Sequence, residues 1–392
     1  MNNERDVSLD AMRGIAALAV FGWHSILAFY PNSTDYFGGT PIAESIRSRF
    51  WFVAVHGAGA VAFFFVLSGF VLTRFALTSG RTDILVRGLI KRWPRLAGPA
   101  LVAVLGSWSL FAVGGYFYAP AAAITGSPWL ASFGGALGHS SFQPSFFDAV
   151  LQGAVLTFVR GDSSYDCSLW TMAFEFYGSL MVYALAFLLA TRQGLRVRLV
   201  VIVAAAVACG AANPALIPFV AGFALAALLP QRGFRVPAPV GAVAVAVALL
   251  GCGYTPGAVG FYAPLTAIWP AWLPMPYLYA AAATLLIAIA EGWSGMRWTL
   301  SRPWGRACGE LSFPFYLVHV PLLCSVGAYA FVVTRSAPAA IAASLVVSFV
   351  AAIALAGFSR WWLAQLNVAV GVAMASFQRD RPARTEAIAS PP

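Results

Sequence analysis

The sequence predicts an all-α, polytopic integral membrane protein of about ten transmembrane helices, with both termini on the cytoplasmic side. Hydrophobic residues fill 60% of the 392 positions and charged ones only 10%, at a mean hydropathy of +0.79. A soluble chain of this length could not bury that much apolar surface in one core. Apolar runs long enough to cross a bilayer recur from end to end. Basic residues collect in alternate connections: with the N-terminus inside, all but Arg47, Arg49, Arg160 and Arg335 fall on the inner side. That asymmetry fixes the expected orientation and calls for an even number of spans.

The first run, roughly 9 to 30, follows a short polar head, MNNERDVS. It contains Arg13 and has no small-residue cleavage site, so it reads as a retained helix rather than a signal peptide. Further runs lie at roughly 55–77, 94–116, 168–191, 197–212, 214–230, 237–254, 273–291, 311–333 and 337–361. The third is expected to start within RGLIKRWPRLAGP, with Pro94 in its first turn, where proline is well suited. The longest connection, Tyr116 to Cys167, is expected to face outward, and its apolar stretch Phe146 to Val159 reads as interfacial or re-entrant. A second outward connection, Gly253 to Pro276, carries no charge but holds Tyr254, Tyr262, Trp269 and Trp272, with Tyr277 just beyond. An interfacial aromatic belt accounts for these rings, and a sugar-stacking platform is the alternative. Residues 1–378 form one membrane domain, and the polar tail 379–392 is expected to stay disordered.

The formal charge of +10 is explained by topology rather than by nucleic acid. Five cysteines lie at 167, 209, 252, 308 and 324, which gives no disulfide framework. The four histidines, His24, His56, His139 and His319, lack metal-ligand spacing, so no metal site is expected. Walker, dinucleotide and GxSxG signatures are absent from the sequence, against an ATPase, a Rossmann enzyme or an α/β-hydrolase.

Ionisable groups inside spanning helices are costly, at least ~2.5 kcal/mol each near the middle, and they mark the candidate site. In LDAMRGIAALAVFGWH, Asp10, Arg13 and His24 share one stripe of a single helix. Arg13 and His24 sit about three turns, roughly 16 Å, apart, one near the membrane surface and one well inside. His24, with an ordinary pKa near neutrality, suits general-base work. Lys91, Arg92 and Arg95 form a basic cluster at the expected helix start, a plausible phosphate clamp, with a plain positive-inside cluster as the competing reading. Glu175 lies at a depth comparable with His24; it is expected either to orient the imidazole or to pair with an arginine. Ser68 and His319 are weaker candidates for pocket lining, equally readable as packing and interhelical hydrogen bonding. His56 and His139 receive no role.

Taken together, these stretches resemble the membrane-bound acyltransferase-3 family. The resemblance rests on LDAMRGIAALAVFGWH with Arg13 and His24, FFFVLSGFVLTR around Ser68, KRWPR with Arg92 and Arg95, SLWTMAFEFYGSL around Glu175, and LSFPFYLVHVPLL around His319, in that order. It implies transfer of an acyl group, commonly acetyl, from cytoplasmic acyl-coenzyme A to a hydroxyl of a glycan or other acceptor. It also implies that His24 is catalytic, that Arg13 is its basic partner, and that Arg92 and Arg95 handle the donor. Two departures stand out: the sequence carries no SGNH-type domain after the tenth span, and it reads Glu175-Phe176 where many members have two consecutive acidic residues.

The expected function is therefore a membrane O-acyltransferase of a bacterial cytoplasmic membrane. It takes acyl-CoA as co-substrate, holds no permanent cofactor, and has the lipid bilayer and a glycan or other hydroxyl-bearing acceptor as partners. A transporter or flippase of an acylated or anionic metabolite is the rival, and a degenerate scaffold is a third reading. Acceptor identity, acyl length, direct or covalent transfer, and oligomeric state are left open by the sequence.

Overall fold

The computed structural model of the chain describes residues 7–135, 142–190, 194–230 and 234–379; the polar tail from 380 onward and His139 lie outside them. The regular elements among the described residues are all helices, as the hydropathy pattern requires. α1 (Val7–Phe29), α2 (Gly57–Ser79) and α3 (Thr82–Ala112) open the bundle. The long connection that follows folds into α4 (Tyr118–Thr125), α5 (Pro128–Ala131), α6 (Phe146–Leu151), a π turn and α7 (Thr157–Val159). Next come α8 (Thr171–Ala190), α9 (Leu195–Ala212), α10 (Ile217–Leu228) and α11 (Ala238–Gly253). After the short α12 (Ala263–Ile268), α13 (Met275–Gly292) and α14 (Ser294–Leu300) lead into α15 (Pro303–Leu322). A π turn joins α15 to α16 (Ala328–Thr334), and α17 (Ala337–Arg379) ends the fold.

All ten expected spans are helical. Eight helical segments among the described residues are long and apolar enough to cross a membrane, and the expected spans at 214–230 and 237–254 appear as shorter apolar helices. One boundary needs correction. α3 begins at Thr82, so Pro94 and Pro99 lie inside a continuous helix, and Lys91, Arg92 and Arg95 sit within it rather than at its N-terminus. Hydropathy marks only where a helix enters lipid; the polar, basic turns before that point extend the same helix beyond it. Pro94 deletes one backbone hydrogen bond there, and a continuous helix tolerates such a loss when neighbouring helices satisfy the freed groups.

Small residues set the closest contacts. A Cβ at Gly309 would strike Asp10, one at Gly14 would strike Cys308, and Gly305 meets Ala11, so α1 and α15 lie nearly backbone to backbone. Gly69 of α2 faces the Phe219 carbonyl, and Gly222 of α10 faces the Val66 carbonyl, in the same manner. Two arginines that topology alone explained have local work as well. Arg74 donates to the carbonyls of Ala226, Leu229 and Pro230 at 2.7–3.0 Å, and Arg198 donates to that of Ala227 at 2.5 Å. Together they satisfy the last carbonyls of α10, where a helix end favours cations.

At the end of the bundle opposite the basic connections, short 3₁₀ turns between α1 and α2 form a cap. Arg47 pairs with Asp35 at 2.7 Å, and His56 donates from Nδ1 to the Cys252 carbonyl at 2.6 Å. Burial pushes the His56 imidazole down to about 4, with the Cys252 bond working against it, so this histidine is a neutral strut. The aromatic connection after α11 is split: Tyr254 and Tyr262 are buried around Ala258, while Phe261 and Trp272 are exposed.

Candidate functional site

Five helices, α1, α2, α3, α8 and α15, bring the site residues together in two polar clusters. α8 connects them. Ser168, Thr171, Glu175 and Ser179 recur at intervals of three and four, which puts them on one stripe of the helix and the turn before it.

The first cluster surrounds His24. Its Nδ1 lies 2.9 Å from His319 Nε2, and His319 Nδ1 lies 2.8 Å from the Tyr316 carbonyl. A carbonyl can only accept, so His319 Nδ1 must carry a proton. In neutral His319 the Nε2 then accepts, His24 donates from Nδ1, and the His24 lone pair is left on Nε2. The ring planes are held together: the His24 and His319 centroids are 5.1 Å apart at 7°, edge to edge across their hydrogen bond, and Trp129 of α5 stacks on His24 at 5.2 Å. The Ser127 hydroxyl, which caps α5, also donates to the Leu27 carbonyl at 2.6 Å and so ties this roof to α1. The Tyr316 hydroxyl, in turn, sits 2.9 Å from Thr171 Oγ1 and 3.0 Å from the Ser168 carbonyl.

The second cluster lies one turn further along α8. Glu175 accepts from Ser68 Oγ at 2.6 Å and from the Arg92 guanidinium, which also donates from Nε to Ser179 Oγ at 2.7 Å. Arg92 is buried, whereas Arg95 is exposed. One expectation changes accordingly. Arg92 and Arg95 do not act as a matched pair on one surface, because α3 is continuous there and turns Arg92 into the bundle. Of the two readings of Glu175, the structure shows the pairing with an arginine, and the hydrogen-bond partner of His24 is His319. Arg13 donates to Asp10 at 2.9 Å, one turn back on α1 and about three turns from His24, toward the basic end. Lys91 donates to Asn367 of α17 at 2.8 Å. Among the described residues no group of three histidine, cysteine or acidic side chains is placed to hold a metal ion.

The family model of the acyltransferase domain of acyltransferase-3 matches residues 6–357, nearly the whole chain. The chain belongs to the acyltransferase-3 family. It is thus a multi-pass membrane acyltransferase, and the transporter reading gives way. No curated protein and no solved structure matches it.

Within this acyltransferase-3 fold, several neighbours of the site escape sequence reading. Trp129 comes from a distant connection, and Tyr316 acts through its backbone. Thr171 and Ser179 had a signal, the polar stripe on α8, visible once Glu175 is taken as its centre. Asp166, just before that stripe, accepts through Oδ1 from the Ser168 amide and hydroxyl at 2.8 and 2.7 Å, while Oδ2 has no hydrogen-bond partner among the described residues. Burial pushes its carboxyl up to about 7, against the pull of the Ser168 bonds. A carboxyl raised on folding stabilises the fold below its unfolded pKa and loses that advantage as pH climbs toward 7. The thermal midpoint in detergent is therefore expected to fall between pH 5 and pH 8, and to fall less in Asp166→Asn. The difference in stability should be on the order of a few kcal/mol. Parallel pH curves would mean the carboxylate is solvated in the native protein.

Proposed function

We propose that the protein moves an acyl group, in the first instance acetyl, from acyl-CoA on the cytoplasmic side of a bacterial membrane to a hydroxyl of a glycan or similar acceptor. The observation that carries this reading is the chain Tyr316 carbonyl, His319, His24, which leaves a lone pair on His24 Nε2. In the proposed step the acceptor hydroxyl gives its proton to His24 Nε2 as its oxygen attacks the thioester carbonyl. The C–S bond then breaks, and the departing thiolate takes that proton back to leave as free coenzyme A. His319 accepts the hydrogen bond of the transient imidazolium and is itself anchored, a role analogous to the third member of a catalytic triad. The donor's phosphates meet Lys91 and Arg95 at the basic end, and Arg13 orders the arm on the way to His24. Arg92, Glu175, Ser68 and Asp10 act as supports of this path.

The test is transfer by the purified protein in detergent, with radiolabelled acetyl-CoA and a mixed pool of glycan acceptors. Wild type is expected to acylate at least one acceptor. His319→Phe, which removes the acceptor for His24 Nδ1 and frees the tautomer, is expected to lower kcat about 100-fold with donor affinity within about two-fold. His319→Asn should recover part of the loss. Wild-type turnover in His319→Phe would show that the pair does not set the base.

A further inference from the structure

Asp166 stands just before α8 and reaches the histidine pair through one residue. It caps the 3₁₀ turn Cys167–Trp170 that leads into α8, and its Oδ1 accepts from the Ser168 amide at 2.8 Å and from the Ser168 hydroxyl at 2.7 Å. Ser168 in turn meets Tyr316 at both ends. Its carbonyl accepts from the Tyr316 hydroxyl at 3.0 Å, and its Oγ lies 3.3 Å from the Tyr316 carbonyl. That carbonyl is the anchor of His319 Nδ1, at 2.8 Å.

Lone pairs on this carbonyl are scarce. It has two, and inside α15 one is committed to the helical N–H four residues on, while His319 takes the other. The Ser168 hydroxyl has a single hydrogen and directs it to the nearer acceptor, Asp166. Without Asp166 that hydrogen would turn to the Tyr316 carbonyl and compete with His319. The His319 proton would then be free to move from Nδ1 to Nε2, and His319 would present His24 with a donor where it now presents an acceptor. His24 would answer with its own proton on Nε2, and the lone pair facing the acceptor hydroxyl would be lost. Asp166, Ser168 and His319 are all buried, so bulk water does not take over any of these bonds.

We propose that Asp166 is a positioning residue for the His24–His319 pair: it holds the Ser168 hydroxyl hydrogen and so reserves the Tyr316 carbonyl for His319 Nδ1. This rests on the general-base reading of His24 above and carries the orienting chain one residue type further, to a carboxyl. Oδ1 accepts with or without a proton on Oδ2, so the hold persists on both sides of neutrality.

The test is transfer from acetyl-CoA by the purified full chain in detergent. Asp166→Ala is expected to lower kcat about ten-fold with KM for acetyl-CoA within about two-fold. Asp166→Asn keeps an oxygen for Ser168 and should recover most of the loss. Adding Ser168→Ala to Asp166→Ala removes the competing hydrogen and should raise kcat about three-fold or more over Asp166→Ala alone, whereas a residue that only stabilises the turn would leave the double variant no faster. In a His319→Phe background, Asp166→Ala should slow transfer no further. Asp166→Gly, the mildest replacement at a capping position, carries the test should the alanine variant not fold. Wild-type kcat in Asp166→Ala, or a double variant as slow as the single one, would overturn the positioning role and leave Asp166 a cap. Failure of His24→Ala to slow transfer would instead sink the general-base reading itself.

Discussion

Arg92→Ala is expected to destabilise the protein by about 3 kcal/mol or more, well beyond what the loss of a surface arginine costs. The guanidinium holds Glu175, Ser179 and Ser68 and so joins α3 to α8 and α2 inside the bundle. Its side chain is 7% exposed and that of Glu175 is 16% exposed. Removing one partner leaves the other charge buried with only a hydroxyl for company, and that orphaned charge is the main cost. Replacing both, Arg92→Met with Glu175→Gln, should return much of the stability, because an uncharged pair needs no compensation. Arg95→Ala, in contrast, removes an exposed residue: its thermal midpoint should stay near wild type while donor affinity drops. Thermal unfolding in detergent for the three variants decides between these roles. Equal midpoints for Arg92→Ala and Arg95→Ala would return Arg92 to the surface clamp that the sequence spacing suggests.

That contrast shows where sequence reading succeeds in this fold and where it stops. Hydropathy located every bundle helix, because crossing lipid demands a run of apolar residues whatever its neighbours are. It misplaced the start of α3, since a helix that continues past the membrane into basic turns leaves no hydropathic mark. Spacing likewise predicted that Arg92 and Arg95 would face one ligand. Yet residues three apart on a helix differ by some 60° in direction, enough to turn one inward and one outward at a bundle surface. His24 and His319 both stand out in the sequence as ionisable groups inside spanning helices. They lie 295 positions apart in sequence, and nothing local to either predicts a 2.9 Å contact. Long-range pairing is the information that a single sequence lacks.

The remaining large effect concerns His24 itself. His24→Ala is expected to lower kcat by about 10²–10⁴-fold, the range that a positioned general base supplies, with donor affinity within about two-fold of wild type. Stability should fall by about 1–3 kcal/mol, the cost of leaving the buried His319 Nε2 without its donor, while His319 keeps its bond to the Tyr316 carbonyl and the Trp129 roof stays held through Ser127. The pattern matters more than the size. A fall in kcat without a change in donor binding belongs to a group that acts at the transition state, whereas a rise in donor Kd would make His24 part of the binding surface. His24→Gln sharpens the point: its amide can still donate toward His319 but cannot take up a proton near neutral pH, so it should be as slow as alanine. Transfer within ten-fold of wild type in either variant would move the base elsewhere. The His24–His319 pair would then be a hydrogen-bonded clasp between α1 and α15, and Glu175 would become the next group to test.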